Sequence, residues 1–286
     1  NPVSPPQFKT YIDWLEKQDR DKAKRYWEAY LAACHEPSGI YTIGRRILRE
    51  AYAQQLHTFD LSSAQTAFIM GLAKKLHTTV NTVIQCVWGV LLSKYNRAND
   101  VVFGTIVSGR PAEVFEVERI VGMFINTVPL RLQYDDNTTF SELISATRQQ
   151  ALDREKYSYY SLAEIQQLTP LKNKLIDHVL SFQNLPVPDE KADVTVSNVE
   201  VSSNNTNFTV RVQQGAILQF EIFYDANVFH KTILENIHRH LGYLVDQLIA
   251  NLEIPLRALR VIPEIPARHS ARSLSRETRT RATWRA

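Results

Sequence analysis

The segment of residues 80–95 constrains the fold more than any other part of this 286-residue chain. Its side chains are apolar almost all the way round a helix, which predicts a helix that is buried on every side. Residues 63–76 before it have a more amphipathic helical pattern, for which Ser62 or Ser63 provides the cap and Gln65 the reciprocal group. These two helices predict a layered domain with a sizeable core.

Other helices and strands interleave along the chain without a strict alternation. The spacing of apolar residues predicts one or two amphipathic helices in residues 8–33, and further helices at residues 137–156, 161–168 and 231–252. Alternating or β-branched patterns predict strands at residues 54–61, 101–107, 123–132, 178–183, 194–201, 208–212 and 217–224. This order indicates a layered α/β or α+β fold with a mixed sheet.

Composition argues against several classes of protein. The two cysteines, Cys34 and Cys86, are far apart in the sequence, so we expect neither a disulfide framework nor a zinc site built on cysteines. A reduced, cytoplasmic protein fits this usage best. No run approaches the roughly 20 apolar residues of a membrane span, so no membrane partner is predicted.

The basic charge of the chain is concentrated in its last residues. After Glu264 the sequence holds six of the 33 basic residues and one of the 30 acidic ones, so the net charge of +3 comes from this stretch. Large apolar residues are almost absent from it, which predicts disorder. We therefore interpret residues 265–286 as an Arg-rich tail that need not be native, and we expect no nucleic-acid partner.

Five short motifs follow one another along the chain. They are Tyr11-Ile12-Asp13-Trp14 with the later pair Tyr26-Trp27, Ser108-Gly109-Arg110-Pro111, Val121-Gly122-Met123-Phe124-Ile125-Asn126-Thr127, residues 160–166 (YSLAEIQ) and residues 182–186 (FQNLP). In this order, over residues 8–264, they resemble the motifs of condensation domains from bacterial nonribosomal peptide synthetases. Residues 153–157 (DREKY) depart from the family's usual His-Gln pair at this position.

The resemblance implies the fold of one lobe. Condensation domains have two lobes like those of chloramphenicol acetyltransferase, so we expect an α/β lobe with a mixed sheet flanked by helices. Residues 1–58 would be helices that connect to the amino-terminal lobe, and residues 59–264 would be the carboxy-terminal lobe. The family's His-His-x-x-x-Asp-Gly motif is absent and is expected upstream of Tyr11, so no catalytic residue is predicted in this chain.

The resemblance also implies an activity and its partners. The family joins a carrier-bound acyl or peptidyl thioester to a carrier-bound aminoacyl amine, and this chain would supply the acceptor-side lobe, inactive alone. The expected partners are peptidyl or acyl carrier proteins with their phosphopantetheine arms, the amino-terminal lobe and an adjacent adenylation domain. No metal and no directly bound cofactor is expected.

The motif residues receive expected roles from the same resemblance. Arg110 would pair with the Asp of the missing motif; the alternative is a surface arginine beside a turn. Asn126 and Thr127 would line the tunnel between the lobes or bond to a neighbouring turn, and Asn184 would point its amide into the tunnel or cap a turn. The other motif positions, of which the glycines meet backbone requirements, are Tyr11, Asp13, Trp14, Gly109, Gly122 and Phe124.

Two other functions stay open on the sequence alone. The chain could be a free-standing acyltransferase with an unrecognised base, or a non-catalytic module that docks carrier proteins or a neighbouring domain. The histidines do not favour a base: Asp177 and His178 are predicted to point to opposite faces of a strand, and His238 and His240 to different faces of a helix. A lobe without its partner would expose apolar surface, so self-association is expected.

Overall fold

A mixed six-stranded sheet organises the chain in a computed structural model that describes residues 6–40, 52–184 and 208–262. The strands are Gln54–Asp60 (β1), Asp100–Val107 (β2), Asn126–Gln133 (β3), Val179–Gln183 (β4), Phe208–Gln214 (β5) and Leu218–Asp225 (β6). Their order is β1-β6-β5-β4-β2-β3, and β4 runs parallel to both β2 and β5, whereas the other pairs are antiparallel. The expected α/β fold with a mixed sheet flanked by helices is confirmed.

Seven α-helices occur in the described residues. They are Phe8–Leu15 (α1), Arg20–Tyr30 (α2), Ser63–Lys75 (α3), Val80–Asn96 (α4), Phe140–Glu155 (α5), Leu162–Gln167 (α6) and Lys231–Ala250 (α7). The main core contains side chains from α3, α4, α5 and α7 together with one face of the sheet. Residues 82–93 of α4 are all buried, which confirms the prediction of a helix surrounded on every side.

Capping side chains fix where α3 and α5 begin. Ser62 Oγ accepts a hydrogen bond from the amide of Gln65, and Gln65 Oε1 accepts one from the amide of Ser62, as predicted. The predicted start of this helix at residue 137 is wrong, because Thr139 is the cap and forms a capping box with Glu142. Hydrogen bonds from Thr139 lower the pKa of Glu142, which favours the charged form at the positive helix end.

A second, smaller core lies on the other side of β2 and β4. Trp27 of α2 is fully buried there, together with Val102, Ile165 and Val179. Helices α2 and α6 therefore cover this part of the sheet, so α2, which precedes β1 in the chain, packs directly on the sheet. Strand β1 itself crosses the expected boundary at residue 58.

Three expectations from the sequence lie wholly or partly outside the described residues. These are the strand at 194–201, the tail at 265–286 and the end of the motif at 182–186. Within the described residues, no helix combines the length and the apolar character that crossing a membrane would require. The same residues contain no group of three or more His, Cys, Asp or Glu side chains arranged to hold a metal ion.

Candidate functional site

The turn that follows β2 is built around a glycine in a left-handed conformation. Gly109 has a φ of +64°, and a Cβ atom there would lie 1.8 Å from the carbonyl oxygen of Phe124. Strands β2 and β3 pair in an antiparallel register in which Val107 lies opposite Asn126. The turn and the start of β3 are therefore in direct backbone contact, and only glycine fits between them.

Replacing Gly109 by alanine is expected to lower the free energy of unfolding by about 3 kcal/mol, because it combines left-handed strain with a backbone clash. Urea unfolding measures the loss. Gly71→Ala is the matched control: Gly71 lies in α3, and a Cβ there would meet no atom within 4 Å. That control should gain about 0.5–1 kcal/mol through helix propensity. A similar small gain for Gly109→Ala would contradict the tight contact.

Arg110 lies next to this glycine, and its own loop holds it in place. Its Nη1 donates hydrogen bonds to the carbonyl oxygens of Val117 and Ile120, the latter at 3.2 Å. The guanidinium carbon lies 4.1 Å from the centroid of the Phe124 ring, which is a cation–π contact. Glu118, on the exposed side, is 3.9 Å from Nε. Among the described residues no hydrogen bond reaches Nε or Nη2, and the carboxylate that faces this edge is the exposed one of Glu118.

Aromatic residues from two motifs form a cluster beside Arg110. The ring of Phe124 lies 5.1 Å from Phe8 and 4.6 Å from Tyr11, and Tyr11 stacks on Trp14 at 5.9 Å. A Cβ at Gly122 would lie 2.0 Å from the Phe8 ring, so this glycine gives α1 room to approach. Burial raises the pKa of Tyr11, which keeps its hydroxyl neutral. We call Phe8, Tyr11, Trp14 and Phe124 the motif cluster; these residues belong to a third hydrophobic core.

Asp13, in contrast, lies outside the motif cluster. Its carboxylate accepts a hydrogen bond from Lys9 Nζ at 2.5 Å on the exposed side of α1. Exposed pairs of this kind contribute little to stability. The neighbouring Trp14 instead packs edge-on against Tyr159 at 5.9 Å, which links α1 to the turn after α5.

The tyrosine-rich turn after α5 joins the same assembly through α2. Tyr157 stacks on Tyr26 at 4.4 Å, and its carbonyl oxygen accepts a hydrogen bond from Trp27 Nε1 at 3.2 Å. The hydroxyl of Tyr159 donates to the carbonyl of Asp19 at 2.9 Å. The Tyr26-Trp27 pair thus contacts Tyr157, in the stretch 153–157 that departs from the family's usual His-Gln pair.

Asn126 makes the turn contacts that were the alternative to a tunnel position. Its Nδ2 donates to the carbonyl oxygens of Ser158 at 2.7 Å and Tyr160 at 3.0 Å, and its Oδ1 accepts from the amide of Thr127 at 2.8 Å. The amide is therefore committed to the turn after α5. Thr127 is half-buried in β3, and Asn184 is exposed just after β4. The structure does not bring Asn184 into the motif cluster.

Arg131 is a structurally important residue that the sequence analysis missed. Its Nε and Nη2 bind the carboxylate of Asp100 at 2.8 and 2.5 Å, and its Nη1 donates to the carbonyl oxygens of Tyr30 and Ala32 at 2.9 and 2.8 Å. The hydrogen bond to Asp100 is the main cause of a raised pKa for this guanidinium. A charged residue within an otherwise apolar strand was the available signal, since such a group must be paired.

Of the histidines in the described residues, His178 and His240 are buried, and neither belongs to the motif cluster. His178 Nε2 accepts a hydrogen bond from Trp88 at 2.8 Å, and its Nδ1 is 3.7 Å from Asp177. The predicted separation of Asp177 and His178 is wrong, because β4 begins only at Val179 and strand alternation does not apply before it. As predicted, His238 and His240 face differently: His238 stacks on Phe59, whereas His240 bonds to Tyr95. Burial lowers the pKa of both.

Comparison with known proteins gives one consistent result. The family model described as Condensation domain matches residues 1–268. Bacitracin synthase 3 from Bacillus licheniformis is 37% identical over 265 residues, which is 90% of this chain but 4% of that protein. A solved four-domain nonribosomal peptide synthetase bound to AMP and glycine superimposes with a TM-score of 0.72 at 18% identity, over 87% of this chain and 21% of its own. VibH, a condensation enzyme, superimposes at 0.69 and 14% identity, over 87% of this chain and 59% of its own.

Proposed function

The chain belongs to the Condensation domain family, and from that premise we propose that it supplies the acceptor-side lobe of a peptide-bond-forming enzyme. In the proposed reaction the amine of a carrier-bound amino acid attacks the thioester of a carrier-bound acyl or peptidyl donor. A C–N bond forms, the C–S bond breaks, and the donor carrier leaves as a free thiol. The proton lost by the amine passes to a base.

The observation that carries the proposal is the assembly of the motif stretches into one contiguous structure. Phe124 contacts Tyr11 on one side and the Arg110 guanidinium on the other. Asn126, two residues later, bonds the turn that packs against Tyr26. Residues distant in sequence thus pack around Phe124, whose ring contacts the Arg110 guanidinium.

The base is proposed to come from the part of the domain that this chain does not contain. Of this chain, 87% superimposes on VibH, but the superimposed part covers only 59% of the length of VibH. That part would form the amino-terminal lobe and hold the His-His-x-x-x-Asp-Gly motif, whose Asp would pair with Arg110. The catalytic contribution of this chain would then be to hold reactants and the histidine loop in position, which supplies rate by proximity.

The proposed partners follow from the same reaction. Carrier proteins would deliver both substrates on phosphopantetheine arms, and an adenylation domain would load the acceptor carrier. The arms belong to the partners, so they enter as substrate and not as a resident cofactor. Both cysteines are free and buried, which fits a cytoplasmic protein.

The test uses what we call the joined domain. The joined domain is this chain fused behind the segment that precedes the matched region in bacitracin synthase 3. It is mixed with one carrier protein loaded with an acyl thioester and a second carrier protein loaded with an amino acid. Mass spectrometry of the acceptor carrier is expected to show the amide product. The isolated chain should form none, and neither should the joined domain with the second histidine of the upstream motif changed to alanine. A folded joined domain that forms no amide, or an isolated chain that does, would contradict the proposal.

A further inference from the structure

Two histidines lie beside one buried aromatic ring where the edge strand β1 meets α7. His238 of α7 stacks on Phe59 of β1, with the ring centroids 4.4 Å apart and the planes 17° from parallel. His57 is two residues before Phe59 and therefore lies on the same face of β1, with its ring centroid 5.9 Å from that of Phe59. Phe59 is buried in the main core. Both imidazoles therefore take part in the packing of β1 against α7.

The His57 ring is placed in a way that suits its neutral form. Its Nε2 is buried, and no hydrogen-bond partner reaches that atom in the described part of the chain. A protonated imidazole carries an N–H donor on both nitrogens. Protonation would therefore place a charged donor away from water without an acceptor, which costs far more free energy than one unbonded neutral nitrogen.

The charged groups around the two rings do not remove this cost. Burial lowers the pKa of His57, and the nearby His238 lowers it further; on α7, Glu235 acts in the opposite direction and Lys231 in the same direction. Partial burial also lowers the pKa of His238, against the effect of Asp60. A histidine whose pKa is lowered by folding stabilises the fold above its ordinary pKa of about 6.5, and this contribution is lost as the pH falls below that value.

We propose that His57 and His238 form an acid-sensitive contact, which holds β1 on α7 at neutral pH and releases it when the two rings are protonated. Strand β1 is at one edge of the sheet and pairs with β6 alone among the described strands. It can therefore separate without breaking any other strand pair, as local openings of the native state do. Strands β2 and β3 are at the opposite edge, so acid should leave their pairing intact.

Amide hydrogen exchange of the 286-residue chain at about pH 7.5 and about pH 5.5 tests this contact. After correction for the exchange of unstructured amides at each pH, the protection of β1 is expected to fall about tenfold at the lower pH, whereas β2 and β3 keep theirs. The double variant His57→Phe with His238→Gln should protect β1 equally at both pH values. His35→Gln is the matched control, because His35 is exposed outside this contact, and it should behave like the unchanged chain.

Three results would overturn the proposal. One is equal protection of β1 at both pH values in the unchanged chain. Another is an equal fall in β1, β2 and β3, which would show unfolding of the whole lobe in acid. The third is a fall in the double variant as large as in the unchanged chain. If the double variant does not fold, His238→Gln alone replaces it, since His238 lies at the surface, and it should show a smaller fall than the unchanged chain. A fall of the same size would count against the contact.

Discussion

Replacing Arg131 by methionine is expected to lower the free energy of unfolding of this chain by about 3 kcal/mol. The side chain is 9% exposed and donates four hydrogen bonds. Two go to the carboxylate of Asp100, and two go to the carbonyl oxygens of Tyr30 and Ala32 at the end of α2. Methionine fills a similar volume but leaves the carboxylate uncompensated and both carbonyls without a donor. This loss of stability is at the lower end of the range for a broken buried ion pair, because water reaches the Asp100 side chain, which is 32% exposed.

Urea unfolding at neutral pH measures this loss, and Arg119→Met provides the comparison. Arg119 bonds Glu116 at 2.7 Å on the surface, so its replacement should cost less than about 1 kcal/mol. The double variant R131M/D100N should recover part of the stability, because it removes the unpaired charge as well. Equal small losses for R131M and R119M would show that Arg131 does not hold α2 to the sheet.

Local features of the fold could be predicted from the sequence because they depend on neighbouring residues. The apolar surface of α4 and the reciprocal bonds of Ser62 and Gln65 are examples, since helix periodicity and capping act within a few residues. The start of β3 could not be placed in the same way. Residues 123–125 have a strand-like pattern, but their side chains alternate between the motif cluster and solvent before pairing begins at Asn126.

The candidate site depends on contacts between distant residues, which periodicity does not encode. The resemblance identified Arg110 and Phe124, but their cation–π contact follows from the register of β2 and β3 across a connection of residues 108–125. The bonds of Asn126 to the turn after α5 also depend on tertiary packing. The motifs therefore named candidate residues, and the structure was needed to determine their partners.

Arg110 is expected to be the residue of this chain to which peptide-bond formation is most sensitive. In the joined domain, Arg110→Ala should lower the rate of amide formation about 100-fold, the effect of a small misplacement of reacting groups. Arg110→Lys should restore only part of the rate, because an ammonium cannot form the bidentate contact. The unfolding midpoint of Arg110→Ala should stay close to that of the unchanged joined domain, because Phe124 remains buried in the motif cluster.

The most direct test of the account is the ratio of two amide-formation rates in the joined domain, for Arg110→Ala and for Arg148→Ala. Arg148 is exposed on α5, so its loss removes one positive charge without touching the motif cluster. The account predicts that Arg110→Ala is about 100-fold slower than Arg148→Ala, with the unfolding midpoints of the two variants close together. Equal rates would contradict the claim that the motif cluster exists to position Arg110 for catalysis.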